Sequence, residues 1–388
     1  MGASMEYVVE RGMRWLPESS WRPVMQRSID AFYEGKPDEG VAACRTLLNA
    51  VGLPDEIRNL TYQNQTYYAR PLTELIPGAA WQPLPMPVPA GWVARDPSPA
   101  ARDERLLVLV RAAPATEPVE SGEEAGAAIP EGMEIVVLRD EDRGGPRLSE
   151  ARPFFAGEAI QVAAVVREPG EGVRDRAGVV TLTEGKAGEP RLLEPRPGNF
   201  RGGWSPLLTD AGPRFIGWWE PTEVFRLDDA TGEFARVALR MAPHLAERFQ
   251  GGSQGVPVPG GYLLLVNETV TMGDGNAVTL SRFVRVDEGF QITDVSPQFY
   301  LGERGRDVAT GLARQGERLI AAFTANGRSA LATMDLAPVL DLDDRPGPSA
   351  TNPDGTRSYG IDPDVAADDG VAFARGLRAA GVVPVVKH

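Results

Sequence analysis

Residues Phe249 to Glu268 read FQGGSQGVPVPGGYLLLVNE, and this run decides how the rest of the chain is understood. Its first half is a glycine- and proline-rich turn that carries Ser253 and Gln254. Its second half is an apolar strand, Tyr262 to Val266, that stops abruptly at Asn267 and Glu268. Backbone groups inside a strand are satisfied by its ladder, so polar side chains at the strand end are the ones free to meet a ligand. Taken alone, the same run is also an ordinary buried strand with common turn residues.

Working outward, similar short runs recur on both sides. Leu106–Val110, Glu134–Leu138, Ala159–Val166, Val179–Leu182, Arg214–Trp219, Val278–Val286, Leu319–Phe323 and Ala330–Met334 are apolar or alternating stretches separated by Gly, Pro and Asp. Each reads as a strand. Many short strands with regular turns predict a mainly β chain: a sandwich, a barrel or a propeller.

The N-terminal part differs. From Trp21 to Ala69, Val24, Ile29, Phe32, Tyr33, Val41, Cys44, Leu47 and Leu48 recur at helical spacing, broken at Gly35–Lys36–Pro37. Pro54–Asp55–Glu56 opens a third helix, with acid in its first turn as the helix dipole favours. The pattern looks like one and a half tetratricopeptide-type units, too few to stand alone, so it is expected to pack on the β part or to dock a protein partner. Residues 81–100 are proline-dense and predict a stiff linker laid over the surface. The expected organisation is a helical segment over 1–80, a linker over 81–100, a β domain over 101–340 and an acidic docking segment over 341–388. In that last segment Val371–Ala380 reads as a helix and Val382–Val386 as a strand. Two Asp-x-Asp pairs, at Asp341/Asp343 and Asp362/Asp364, are the weak metal-like signal there, and no metal or other cofactor is expected.

Composition narrows the function. With 54 acidic and 40 basic residues the 388-residue chain carries a net charge of −14, which argues against nucleic acid and anionic membrane as partners. No run is long and apolar enough to span a bilayer, and no signal pattern opens the chain, so a cytoplasmic location is expected. One cysteine, Cys44, rules out an internal disulfide. Two histidines, His244 and His388, leave little room for histidine-based catalysis. Acid–base chemistry falls to carboxylates, as it does in glycoside cleavage.

The order of motifs supplies a resemblance. After the opening run come Arg282–Phe283–Val284, Ser296–Pro297–Gln298–Phe299 and Asp307–Val308–Ala309–Thr310–Gly311–Leu312–Ala313; before it lie Glu150–Ala151–Arg152–Pro153–Phe154 and Arg201–Gly202–Gly203–Trp204–Ser205–Pro206. This order resembles the five-bladed propellers of glycoside hydrolase family 130, the mannoside phosphorylases and their relatives, and looks most like a bacterial branch with a helical segment ahead of the propeller. The resemblance spans Leu106 to Leu340. It implies a five-bladed propeller with an axial pocket that acts on, or binds, a glycan or activated sugar, with inorganic phosphate as co-substrate in a phosphorylase. By the same resemblance Glu150, Glu268 and Asp307 are the candidate catalytic carboxylates, and Arg152, Trp204, Ser253, Gln254, Asn267 and Arg282 the candidate substrate-binding residues. The chain departs from the pattern where chemistry is done. Ala151 stands at the family's general acid, Gly202–Gly203 at its Lys-Asn pair, and Asn267 at its histidine. Two expectations follow: a carbohydrate-active protein with an altered site, or a non-catalytic module that supports a biosynthetic partner.

Overall fold

The computed structural model describes residues 14–15, 18–48, 50–51, 53–84, 88, 91–114, 132–139, 147–167, 175–183, 185–192, 204–228, 231–240, 242–325 and 327–342. Five sheets of three or more strands follow one another along these residues. Sheet 1 contains Trp92–Arg102, Arg105–Pro114 and Met133–Arg139; sheet 2 runs from Arg147–Ala156 through Ala159–Arg167 and Asp175–Thr183 to Lys186–Ala187. Sheet 3 is the meander Ser205–Thr209, Gly212–Trp219, Thr222–Leu227 and Phe234–Arg240. Sheet 4 is built on Val256–Val258, Gly261–Thr271 and Ala277–Asp287, and sheet 5 on Val308–Gln315, Arg318–Ala325 and Arg328–Asp335. All nine runs read as strands from the sequence lie inside these strands.

The first strand of each sheet touches the first strand of the next, from sheet 1 through sheet 5 and back to sheet 1; in sheet 4 this strand is Val256–Val258. That closed ring sets the sheets around a common axis in a propeller-like arrangement. Sheets 2 to 5 have the four or more strands of a full blade, and sheet 1 has three among the described residues.

Period-2 alternation explains the continuous apolar runs. Leu107 and Leu109 of sheet 1 pack on Val162, Ala164 and Val166 of sheet 2. The residues between them, Leu106, Val108 and Val110, pack on Ile320, Ala322 and Leu331 of sheet 5. Phe154 and Val179 meet Trp204, Phe215 and Phe225 between sheets 2 and 3. Leu263, Leu265 and Phe283 meet Leu312, Leu319 and Phe323 between sheets 4 and 5. Each sheet is thus buried on both faces, and the core is a set of seams rather than one centre.

Three long helices precede sheet 1, α1 (Glu18–Tyr33), α2 (Pro37–Leu48) and α3 (Asp55–Thr66), followed by a single helical turn at Leu72–Leu75. Gly35 makes the break between the first two with a φ of 67°, open to glycine at no steric cost. The helices match expectation, but the buried face of α1 does not. Ile29, Phe32 and Tyr33 are exposed, while Ser28 and Ala31 face inward, because the helix packs on only one narrow side.

The proline-dense run, expected as a stiff linker laid over the surface, contributes strands to two sheets. Ala80–Pro83 is the outer strand of sheet 5, paired with Arg328–Asp335, and Trp92–Arg102 is the first strand of sheet 1. Both are sheet edges, where a missing proline N–H costs no ladder bond. The same rule is repeated around the axis: Pro97 and Pro99, Pro153, Pro206 and Pro257 all lie in first strands. A short helix, Leu336–Asp341, unannounced by the sequence, follows sheet 5. The helix and strand expected at 371–386, both Asp-x-Asp pairs beyond Asp341, and Arg201–Gly203 lie outside the described residues.

Candidate functional site

The first strands do more than close the ring. Their pairing registers slip between Arg95 and Ser98 in sheet 1, between Ser149 and Arg152 in sheet 2, and between Ala309 and Gly311 in sheet 5. Bulges re-aim the side chains they carry. At the first two sits an acid in the left-handed region, Asp96 with φ 53° and Glu150 with φ 50°. A glutamate with positive φ is uncommon, and such backbone concentrates where a side chain must be presented in one direction.

Both acids face arginines. Arg152 is only 3% exposed; its Nη2 lies 3.6 Å from the Glu150 carboxylate, and its Nη1 donates to the Glu150 carbonyl at 2.8 Å and to the Trp204 carbonyl at 3.5 Å. Its Nε is buried with no partner among the described residues. Arg111 pairs with Asp96 at 3.2 Å and donates to the Leu148 carbonyl at 3.4 Å. Burial pulls the Arg152 guanidinium below its ordinary pKa, and the charges of Glu150 and then Asp96 pull it back up. One buried cation is therefore paired with the acid of its own sheet and feels the charge of a second acid on the neighbouring sheet. The acids form the outer layer, with side chains 33% (Asp96) and 43% (Glu150) exposed.

The turn of the opening sequence run lies against this cluster. A Cβ on Gly251 would stand 3.3 Å from Arg152 Nη2 and 3.5 Å from Asn267 Nδ2, so sheet 2 and sheet 4 meet across that glycine. Trp219 Nε1 donates to the Gly251 carbonyl at 3.3 Å. A Cβ on Gly252 would collide with the Ser205 hydroxyl, which is buried and unpartnered. Asn267 is held by sheet 5: its Nδ2 donates to the Ala309 carbonyl at 2.8 Å, and the Ala309 amide donates to its Oδ1 at 2.9 Å.

The remaining sequence-derived residues lie elsewhere or are committed to the framework. Gln254 bridges sheets, donating to the carbonyls of Pro99 and, at 3.3 Å, Pro153, while accepting from the Leu312 amide at 3.4 Å. Ser253 donates to the Gln254 carbonyl and accepts from the Leu265 amide. Trp204 is buried and stacks on Phe225 at 5.2 Å between centroids, so its ring belongs to the seam between sheets 2 and 3. Glu268 follows Asn267 on the strand and so points to the opposite face. There it pairs with Arg282 at 2.6 Å, and Arg282 also donates to the Ser296 carbonyl and to Gln65 of α3. Asp307 accepts from the Gly302 and Glu303 amides at 2.5 and 2.6 Å, and burial raises its pKa. The three proposed catalytic carboxylates thus occupy three different settings, and only Glu150 is partly open to solvent.

Sequence reading missed Asp96 and Arg111. The signal was a repeat: Asp96–Pro97–Ser98–Pro99 and Glu150–Ala151–Arg152–Pro153 both place an acid three residues before a first-strand proline.

Comparison with known proteins gives two kinds of likeness. A model of the glycosyl hydrolase family 3 N-terminal domain matches residues 319–388, beginning within sheet 5 and continuing beyond the described residues. Beta-hexosaminidase LpqI of Mycobacterium tuberculosis is 46% identical over 56 residues, 14% of this chain and 14% of that protein; LpqI of Mycobacterium bovis matches equally. The chain thus spans 14% of the length of these curated relatives. Among solved structures, a β-1,2-mannobiose phosphorylase from Listeria innocua matches with a TM-score of 0.40 and 14% identity, over 69% of this chain and 89% of that one. A glycosyl hydrolase from Bacteroides ovatus matches with a TM-score of 0.44 and 12% identity, over 63% and 84%. The propeller-like arrangement rests on the sheets and their ring of contacts, not on these scores.

Proposed function

We propose that the chain is a five-bladed propeller that binds a saccharide at one end of its axis, with sheet 1 as the fifth blade and the N-terminal helices packed on blade 4. The observation that carries this reading is a pair of ion pairs, Glu150 with the buried Arg152 and Asp96 with Arg111, whose acids are presented by left-handed bulge residues of adjacent first strands. Partly open carboxylates beside a fixed guanidinium offer the acceptors and donors that sugar hydroxyls need. The glycoside hydrolase family 3 match and the hexosaminidase named among the relatives support a glycan as the ligand class.

Binding, rather than the reaction of family 130, is the reading these residues favour. The family acid position, Ala151, is buried against sheet 1 and carries no ionisable group. Glu268 is locked to Arg282, and Asp307 to backbone amides.

Thermal unfolding of the whole chain with mannose, β-1,2-mannobiose, N-acetylglucosamine and chitobiose tests the proposal. A sugar that binds only the folded state stabilises it by about 2.7 kcal/mol at 100 times its Kd. The expected result is a rise in Tm with at least one of these sugars that Glu150→Gln removes. No rise at millimolar concentration with any of them sinks it. Release of free sugar from the disaccharides by the parent chain would establish an enzyme instead of a receptor.

A further inference from the structure

The charge pattern of the Asp96–Glu150 cluster points to a narrower ligand class; this inference rests on the saccharide reading above. The guanidinium groups are turned inward, with their Nη atoms engaged and the Nε of each buried away from solvent. Arg152 is 3% exposed and holds one carboxylate and two carbonyls, and Arg111 is 22% exposed and holds Asp96 and the Leu148 carbonyl. What faces solvent is the acid on each bulge, at 33% and 43% exposure. Holding inorganic phosphate or a sugar phosphate takes free cationic donors, and here an approaching anion meets two carboxylates first. The net charge of −14 adds a negative long-range potential. Two further observations mark the place as built for a ligand rather than as a chance acidic patch. Among the described residues Ser205 Oγ is buried and unpartnered beside it, and Gly251 and Gly252 keep Cβ atoms away from Arg152 and Ser205.

We propose that Asp96 and Glu150 make this cluster selective for a saccharide bearing a protonated amino group, a glucosamine-type residue, over neutral sugars, and that they exclude phosphorylated ones. Asp96 is the specificity-determining residue, since its bulge shares no backbone with the Glu150–Arg152 pair.

The experiment is titration calorimetry of the whole chain at pH 6.5 with a β-1,4-glucosamine disaccharide, β-1,2-mannobiose and mannose-1-phosphate. The expected order is amino sugar, then neutral sugar, with no binding of the phosphate. Asp96→Asn is expected to weaken the amino sugar roughly tenfold and the neutral sugar by a clearly smaller factor, because a charge is lost while a hydrogen-bond acceptor is kept. Asparagine tolerates the left-handed backbone, so the bulge is kept. Raising salt is expected to narrow the preference, because partly open charges are screened over about 10 Å at 0.1 M. Asp103→Asn, at an acid 91% exposed, is the control for general attraction to an acidic surface. Equal losses in the Asp96 and Asp103 variants, or tighter binding of mannose-1-phosphate than of mannobiose, overturn the selectivity while leaving saccharide binding intact. Failure of all three ligands overturns the saccharide reading and this inference with it.

Discussion

Gly252 is fixed by a neighbour as much as by its own turn. Its φ of 136° is open to glycine, and a Cβ there would strike the Ser205 hydroxyl from sheet 3. Gly252→Ala is therefore expected to lower stability by about 2–3 kcal/mol in urea unfolding. Ser205→Ala, which removes a hydroxyl with no partner, is expected to cost little. Asp307 makes a prediction in pH. Burial raises its folded-state pKa above the ordinary 3.8, although the backbone amides of Gly302, Glu303 and Leu301 work against the rise. The folded chain thus holds this proton more tightly than the unfolded chain does. The ionised form weakens the fold above the folded-state pKa, and the penalty vanishes as pH falls below the ordinary value. Asp307→Asn keeps an acceptor for Gly302 and Glu303, so its Tm is expected to exceed that of the parent at pH 7 and to match it near pH 3. A gain that persists in acid would remove the titration of Asp307 as its cause. At this scale the sequence showed Glu150 and Arg152 but not what joins them to Asp96. Residues 54 positions apart become neighbours only once two sheets lie side by side.

At the scale of elements, legibility divides by position in the sheet. Middle strands such as Leu106–Val110 and Tyr262–Val266 are buried on both faces, so they read as unbroken apolar runs. First strands are sheet edges with proline and polar residues facing the axis, and to a propensity reading they look like loops. That is why residues 92–100 of the first strand of sheet 1 read as linker, and Asp307–Ala313 reads as a motif and not as a strand. Gln254 shows what these strands lack and how it is supplied. They have no ladder on the axis side, and one amide side chain satisfies carbonyls of sheets 1 and 2 and an amide of sheet 5. Gln254→Ala leaves those buried groups unpaired at once. It is expected to cost about 2–4 kcal/mol by urea unfolding, against under about 1.5 kcal/mol for Gln315→Ala, whose side chain donates to a carbonyl at an exposed position. Equal losses would mean that Gln254 does not tie the ring.

For the whole molecule, the chain ahead of the propeller both covers it and completes it. The chain after α3 supplies Arg70–Pro71 to the edge of sheet 4 and Ala80–Pro83 to the edge of sheet 5, so two blades are finished by residues that precede all of them. The helical spacing at 21–69 was legible in the sequence, but this stitching was not, because short edge strands carry almost no periodic signal. Helix α3 docks on sheet 4 through Gln63, whose Nε2 donates to the Thr271 carbonyl, and through Gln65, which accepts from Arg282. Arg282 and Glu268 are both buried, and a buried ion pair contributes little net stability compared with apolar packing, yet breaking one half strands a charge. Arg282→Met is therefore expected to cost about 3–5 kcal/mol, and the double substitution Arg282→Met with Glu268→Leu to recover most of that loss. Hydrogen exchange separates this from general damage. In Arg282→Met the amides of Asp55–Thr66 are expected to exchange faster, while those of Arg105–Pro114 in sheet 1 keep their protection relative to the new global stability. Uniform loss across both segments would show that the ion pair holds up the propeller itself and does not serve as the fastening of its helical cover.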